Sequence, residues 1–154
     1  MRFFLLLSIF LLFSAGCSSN NAFSSFNITQ YQERAEDVIE SSRILKDGIT
    51  KGFVTIVYLN RVYPERYKKE EHFYISFYIQ GSDESVNFIL NKERPLLVKK
   101  LEKGNSFANL LSQERDWQNY YHVVFEKTQK EKMQLTLTSK GYSSKITLYK
   151  ESGE

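Results

Sequence analysis

The sequence is short of the residues that most often carry covalent or metal chemistry. Its 154 residues include one cysteine, two histidines and one tryptophan. A single cysteine forms no internal disulfide and supplies no structural zinc site. His72 and His122 belong to no H-x-x-H or H-E-x-x-H spacing, and no G-x-S-x-G elbow, Walker loop or G-x-G-x-x-G fingerprint occurs. His72 follows the charge run Lys68-Lys69-Glu70-Glu71 and His122 lies on the polar phase of a predicted strand, so both read as surface or strand histidines. The acidic residues are scattered, and pairs such as Asp83-Glu84 read as solvated loops. These absences argue against an enzyme, a metal centre or a bound cofactor, although a catalytic pair assembled only by folding leaves no such trace. Net charge is small too. With 21 Lys+Arg against 18 Asp+Glu, the net +3 is too small and too interspersed to imply nucleic acid. The length favours one domain over a two-domain cofactor enzyme.

Aromatics are what the chain has in quantity. Twelve Phe and ten Tyr bring them to 15% of the residues. That much bulky apolar surface has to be buried, which excludes a disordered chain.

Residues 1–17 read MRFFLLLSIFLLFSAGC. Arg2 precedes an apolar run over 3–13, and Ser14, Ala15 and Gly16 lead into Cys17. A basic start, an apolar stretch and a small-residue exit are the three parts of a secretory signal peptide. The run falls well short of the ~20 residues that span a bilayer as a helix. It also has too little polar surface to form the outer face of a core helix.

Ala15-Gly16-Cys17 resembles the end of a bacterial lipobox, recognised by lipoprotein signal peptidase through positions matching Ser14, Ala15 and Gly16. Ser14 stands where that class usually has leucine. The resemblance covers only the leader and implies cleavage before Cys17, lipidation of its thiol and acylation of the new amino group. The alternative is plain secretion with a free thiol at the start, a reactive liability in an oxidising compartment. Two or more acyl chains make a stable anchor. Ser18, rather than the Asp that in enteric-type bacteria retains lipoproteins at the inner membrane, implies outer-membrane delivery where the host has one. The expected organisation is a signal peptide over 1–16, a lipidated cysteine and flexible tether over 17–27, and a folded domain over 28–154.

The tether, SSNNAFSSFN over 18–27, is uncharged and Ser/Asn-rich. Thr29 and Gln32 then make a capping box. Ile28, Tyr31, Ala35, Val38, Ile39 and Leu45 fall on one stripe, which predicts an amphipathic helix over 29–45, with Gly48 as its stop. Beyond Gly48 the period changes to two. Residues 53–62 are rich in β-branched and aromatic side chains. Phe73, Ile75, Phe77 and Ile79 alternate with Tyr74, Ser76 and Tyr78, and further alternating runs cover 86–90, 96–101, 121–126, 133–137 and 146–148. About seven short strands after one N-terminal helix predict a mainly β fold, an antiparallel β-sandwich. Its strand count and pattern resemble Ig-like sandwiches, as in small Ig-like bacterial lipoproteins, without the Cys…Trp…Cys signature. Residues 105–119 are irregular, a short helix or long loop expected to cross between the sheets.

Two features suggest binding. Tyr58, Tyr74 and Tyr78 occupy the polar phase of predicted strands, half of them expected to lie under the helix. Trp117, Tyr120 and Tyr121 cluster beside Arg115, the composition of a binding hot spot. The expectation is a non-catalytic, membrane-anchored binding or assembly module that contacts another envelope protein. The alternative is a small-ligand or cell-wall glycan binder using the aromatic cluster.

Overall fold

Thr29 opens the part of the chain that the computed structural model describes, residues 29–81 and 86–150. Ser14, Ala15, Gly16, Cys17 and the tether lie outside the described residues. The capping box is formed: Thr29 N donates to Gln32 Oε1 at 2.8 Å and Thr29 Oγ1 accepts from Gln32 N at 3.3 Å. Helix α1 (Gln30–Glu36) is short, however, and the helix expected to reach residue 45 ends with Asp37 as its C-cap. Residues beyond it form strand β1 (Ile39–Lys46). The reason lies in Asp47-Gly48, whose φ angles of +51° and +77° make a two-residue hairpin turn. That turn pairs β1 with β2 (Ile49–Tyr58), and pairing with a β-branched strand overrides the helical spacing of 38–45.

A four-residue helix α2 (Leu59–Val62) follows, then β3 (Glu70–Ile79), β4 (Asn87–Leu90), β5 (Leu97–Leu101), a 3₁₀ turn at Ala108–Leu110, β6 (Asn119–Glu126), β7 (Lys132–Ser139) and β8 (Tyr142–Tyr149). The expectation of two sheets and about seven strands is met only as a mainly β, antiparallel fold. All eight strands share one hydrogen-bonded sheet in the order β4-β7-β8-β1-β2-β3-β6-β5. It is strongly curled into a half-barrel, which lets one sheet cover its own apolar face. Phe88 of β4 meets Phe77 of β3 and Tyr121 of β6, with ring centroids 6.3 and 5.6 Å away, although five strands lie between β4 and β6 in the hydrogen-bonded order.

The curl has a visible cause. The β1–β2 pairing shifts register between Ile44 and Leu45, which face Gly52 and Thr50, so Lys51 is an extra residue of β2 beside Gly52. A Cβ on Gly52 would overlap the Tyr78 carbonyl oxygen of β3. A bulge beside a glycine bends a strand and increases its twist. Inside the curl, Val54, Ile56, Phe73, Ile75, Phe125, Leu135 and their neighbours form the main core. Outside it, Ala35, Val38, Leu59, Val62, Phe107 and Leu110 cover Val57, Tyr74 and Tyr120 in a second apolar layer. Residues 105–119 therefore cross the outer face of one sheet rather than passing between two.

One inward position is charged. Glu71 is 0% exposed, on the same face as Phe73 and Ile75. Its carboxylate accepts from Tyr58 Oη at 2.6 Å, Thr128 N at 3.1 Å and Lys150 Nζ at 2.8 Å. Burial pushes this carboxyl up, but the Lys150 ammonium, the Tyr58 hydroxyl and the Thr128 N–H outweigh it and hold it below the usual carboxylate range. Tyr58, read from the sequence as outward, points inward to this network, and burial followed by Glu71 raises its phenol.

Two outcomes follow. Gly52→Ala should destabilise by about 1–3 kcal/mol in urea unfolding, because backbone must shift to admit the methyl. Glu71→Met should cost about 3 kcal/mol by leaving Lys150 unneutralised, and the double variant Glu71→Met/Lys150→Met should recover much of that loss. An unchanged Glu71→Met midpoint would show that the buried carboxylate does not hold this end of the sheet together.

Candidate functional site

Register places three hydroxyls in a row across the outer face. Ser41 of β1 stands opposite Thr55 of β2, and Thr55 opposite Ser76 of β3. Ser41 Oγ and Thr55 Oγ1 share a hydrogen bond at 2.9 Å. Ser76 is 1% exposed and its Oγ has no hydrogen-bond partner. These three residues floor a groove of about 400 Å³ that the second apolar layer leaves uncovered. Ile39 and Leu111 bound it on one side and Phe53 and Trp117 on the other, while Ser112, Gln113, Arg115 and Gln118 complete the lining.

The aromatic wall also follows from register. Phe53 and Tyr78 are cross-strand partners one step beyond the Thr55–Ser76 pair on the same face. Their rings lie 6.0 Å apart, and Trp117 meets both nearly at right angles, at 5.6 Å from Phe53 and 5.1 Å from Tyr78. Trp117 remains 50% exposed. The Arg115 guanidinium donates to the neutral Gln113 amide oxygen. The adjacent acids are engaged elsewhere. Asp116 pairs with Lys103 at 2.6 Å, and Glu114 accepts from Tyr74 Oη at 2.8 Å and Gly104 N at 2.6 Å.

The residues that the sequence grouped are thus divided among three places. Trp117 and Arg115 reach the groove. Tyr120 is buried beneath it and pegs the loop: its hydroxyl accepts from Arg115 N at 2.6 Å and lies 2.9 Å from the Arg115 carbonyl oxygen. Tyr121 faces the interior, stacked on Phe77 at 5.6 Å. Of the outer-phase tyrosines, Tyr74 is fully buried and Tyr78 half-buried. Phe53 and the hydroxyl row escaped the sequence reading. They lie far from Trp117 in sequence and converge only through strand register.

The two histidines, distant in sequence, are brought together on the outer face. His72 Nδ1 and His122 Nε2 lie 3.1 Å apart, Tyr67 stacks on His72 at 4.1 Å, and His72 Nε2 is 3.3 Å from Glu70. Burial lowers His72 despite Glu70, and burial together with His72, Lys99 and Arg66 pushes His122 down to about 4. The pair is therefore two neutral imidazoles sharing one hydrogen bond. Among the described residues, no group of three or more His, Cys, Asp or Glu side chains is placed to hold a metal ion.

An imidazole held below its ordinary value of about 6.5 stays neutral in the fold, while the unfolded chain takes up a proton. Stability should accordingly fall as pH drops from about 6.5 toward 4, by at most about 1.4 kcal/mol per pH unit for each ring. Urea unfolding across that window should show this slope, and His122→Asn should flatten it. A wild-type slope over that window that His122→Asn leaves unchanged would overturn His122 as its source, whereas the Glu71 contribution is lost only at lower pH.

No protein-family model matches the chain, and comparisons with curated proteins and with solved structures find no significant match. The functional reading rests on this geometry and on the leader.

Proposed function

We propose that this chain is a lipid-anchored, non-catalytic assembly module of the bacterial envelope, outer membrane favoured where the host has one, and that it contacts another envelope protein through the open edge of its sheet. The observation that carries this reading is β5. Among the described residues it pairs with β6 on one side only, and Leu96, Leu97 and Val98 stand exposed along it. An edge strand presents unpaired backbone donors and acceptors, and edges are ordinarily blunted by charge or cover. Here Lys99 and Lys100 guard the second half of the strand, while the first half is apolar.

The opposite edge, β4, lies across a seam from β5. Val86, Phe88, Ile89, Pro95 and Val98 line a cavity of about 430 Å³ between them, with Asn87, Arg94 and Thr138 as its polar members. An extended segment of a partner laid along β5 would gain main-chain hydrogen bonds and seat apolar side chains in this seam, the mode of β-strand addition. Attachment through Cys17 would hold the module at the membrane surface, where such a partner is concentrated by proximity.

Two measurements test the reading. Cys17→Ser should abolish lipid labelling of the protein and release it from the membrane fraction; an acylated mass in that variant would remove the anchor from the account. A photo-crosslinking residue at Leu97 should give one discrete adduct in intact envelopes, lost with Val98→Glu. The same probe at Ile49, also exposed but on β2, should give none. Equal adducts at both positions would overturn the edge as the contact.

A further inference from the structure

The seam leaves the hydroxyl-floored groove without a role, and its lining has a chemistry of its own. We infer that the groove is a binding site for a carboxylate-bearing saccharide, one or two sugar rings seated against Trp117 with the acid group at Arg115. This goes beyond the assembly role and does not depend on it, since the groove and the β5 edge are separate surfaces.

Three observations converge on that ligand. The first is Ser76, buried to 1% exposure at the groove floor with its hydroxyl unpartnered. Buried hydroxyls are nearly always hydrogen-bonded, so the unpartnered Ser76 hydroxyl at the groove floor has its full capacity left for a ligand hydroxyl or amide. Beside it, the Ser41–Thr55 pair retains acceptor capacity, since each hydroxyl has two lone pairs. The floor thus offers neutral donors and acceptors at the spacing of adjacent strands, about 4.8 Å.

The second is the wall. Phe53, Tyr78 and Trp117 form an aromatic group with Trp117 half exposed. An apolar wall facing a polar floor suits a molecule with one apolar C–H face and a hydroxylated edge, which is how a pyranose ring is built. The third is charge. Among the described residues Arg115 is the one ionic side chain lining the groove, its guanidinium bonded to a neutral amide, with Ser112, Gln113 and Gln118 around it. A guanidinium whose bond is to an amide retains donors for a carboxylate. The volume, about 400 Å³, falls in the lower part of the small-molecule range of about 300–1,000 Å³.

The sequence contains a single tryptophan. Its emission therefore reports on the groove alone. Full-length protein in detergent solution is titrated with N-acetylmuramic acid, glucuronic acid and the neutral N-acetylglucosamine. A saturable change in emission with either acid, at least about tenfold tighter than with the neutral sugar, supports the inference. The stronger acid ligand distinguishes a wall-derived amino sugar from a uronate of secreted polysaccharide. Arg115→Gln should bring the acids to the neutral sugar's level. Ser76→Ala should weaken binding by about five- to tenfold while leaving the thermal midpoint unchanged or raised, because it removes a hydroxyl with no partner in the fold. A purely structural Ser76 would lower the midpoint and leave binding untouched. Flat emission to about 10 mM of both acids, equal binding of the neutral sugar, or a response only to a carboxylate-ended aromatic peptide run alongside would overturn the saccharide.

Discussion

The structure depends on one close approach between backbones. At Gly52 the second strand comes against the Tyr78 carbonyl of the third so closely that a Cβ would overlap it, and the same strand bulges at the adjacent Lys51. A flat sheet of eight strands would leave one broad face in water. Bending at this point brings Phe88 near one edge onto Phe77 and Tyr121 from the far side and encloses a core that no second sheet is needed to cover. The same contact sets the outer surface. Residues 53 and 78 flank the close approach, and their rings make the wall that Trp117 completes.

Polar groups on the two faces are handled in opposite ways. Inside, Glu71 stays ionised because an ammonium, a phenol and a backbone N–H converge on it, and together they exceed the cost of burial. Outside, burial under Tyr67 and Phe107 outweighs the Glu70 carboxylate beside His72, and His72 and His122 stay neutral while sharing a hydrogen bond. Both arrangements favour the fold near neutrality and both weaken it in acid, the imidazoles first and the carboxylate later. Asn60 adds a third solution: its side chain donates to the Tyr67 and Glu70 carbonyls and accepts from His72 N, fastening the connection that carries Tyr67 over the histidines.

What the sequence made legible was periodicity, and what it concealed was register. Phe73, Ile75, Phe77 and Ile79 could be assigned to one face from alternation alone, and the structure puts them inward. The same alternation, carried two residues back, reaches Glu71, yet its place in a charge run made it look solvated. Asp47-Gly48 is a hairpin signal in its own right. Read as a helix stop, it hid β1, because Ile39 and Leu45 happen to fit a helical stripe as well as a strand. The grouping of Trp117, Tyr120 and Tyr121 failed for a related reason: adjacent residues on a strand point to opposite faces, so Tyr120 and Tyr121 could never have shared a surface. The row of Ser41, Thr55 and Ser76 spans 35 positions of sequence and exists only once three strands are aligned.

The groove is locally unfavourable, and that is informative. An unsatisfied buried hydroxyl costs about 1–3 kcal/mol, and a half-exposed tryptophan forgoes part of the burial that its size offers. The surrounding layer had the means to remove both: the chain over residues 105–119 already covers Tyr74 and Tyr120 with Phe107 and Leu110, one strand-width away. Instead Tyr120 fastens Arg115 and Gln118, and Lys103 holds Asp116, so that the loop stands back from Ser76 while presenting Trp117 to it. The interior core is large enough to offset such local costs. A loop that is pinned at several points yet leaves the buried hydroxyl of Ser76 unpaired is arranged around a space, and a space with a polar floor, an aromatic wall and one cation is a description of what fills it.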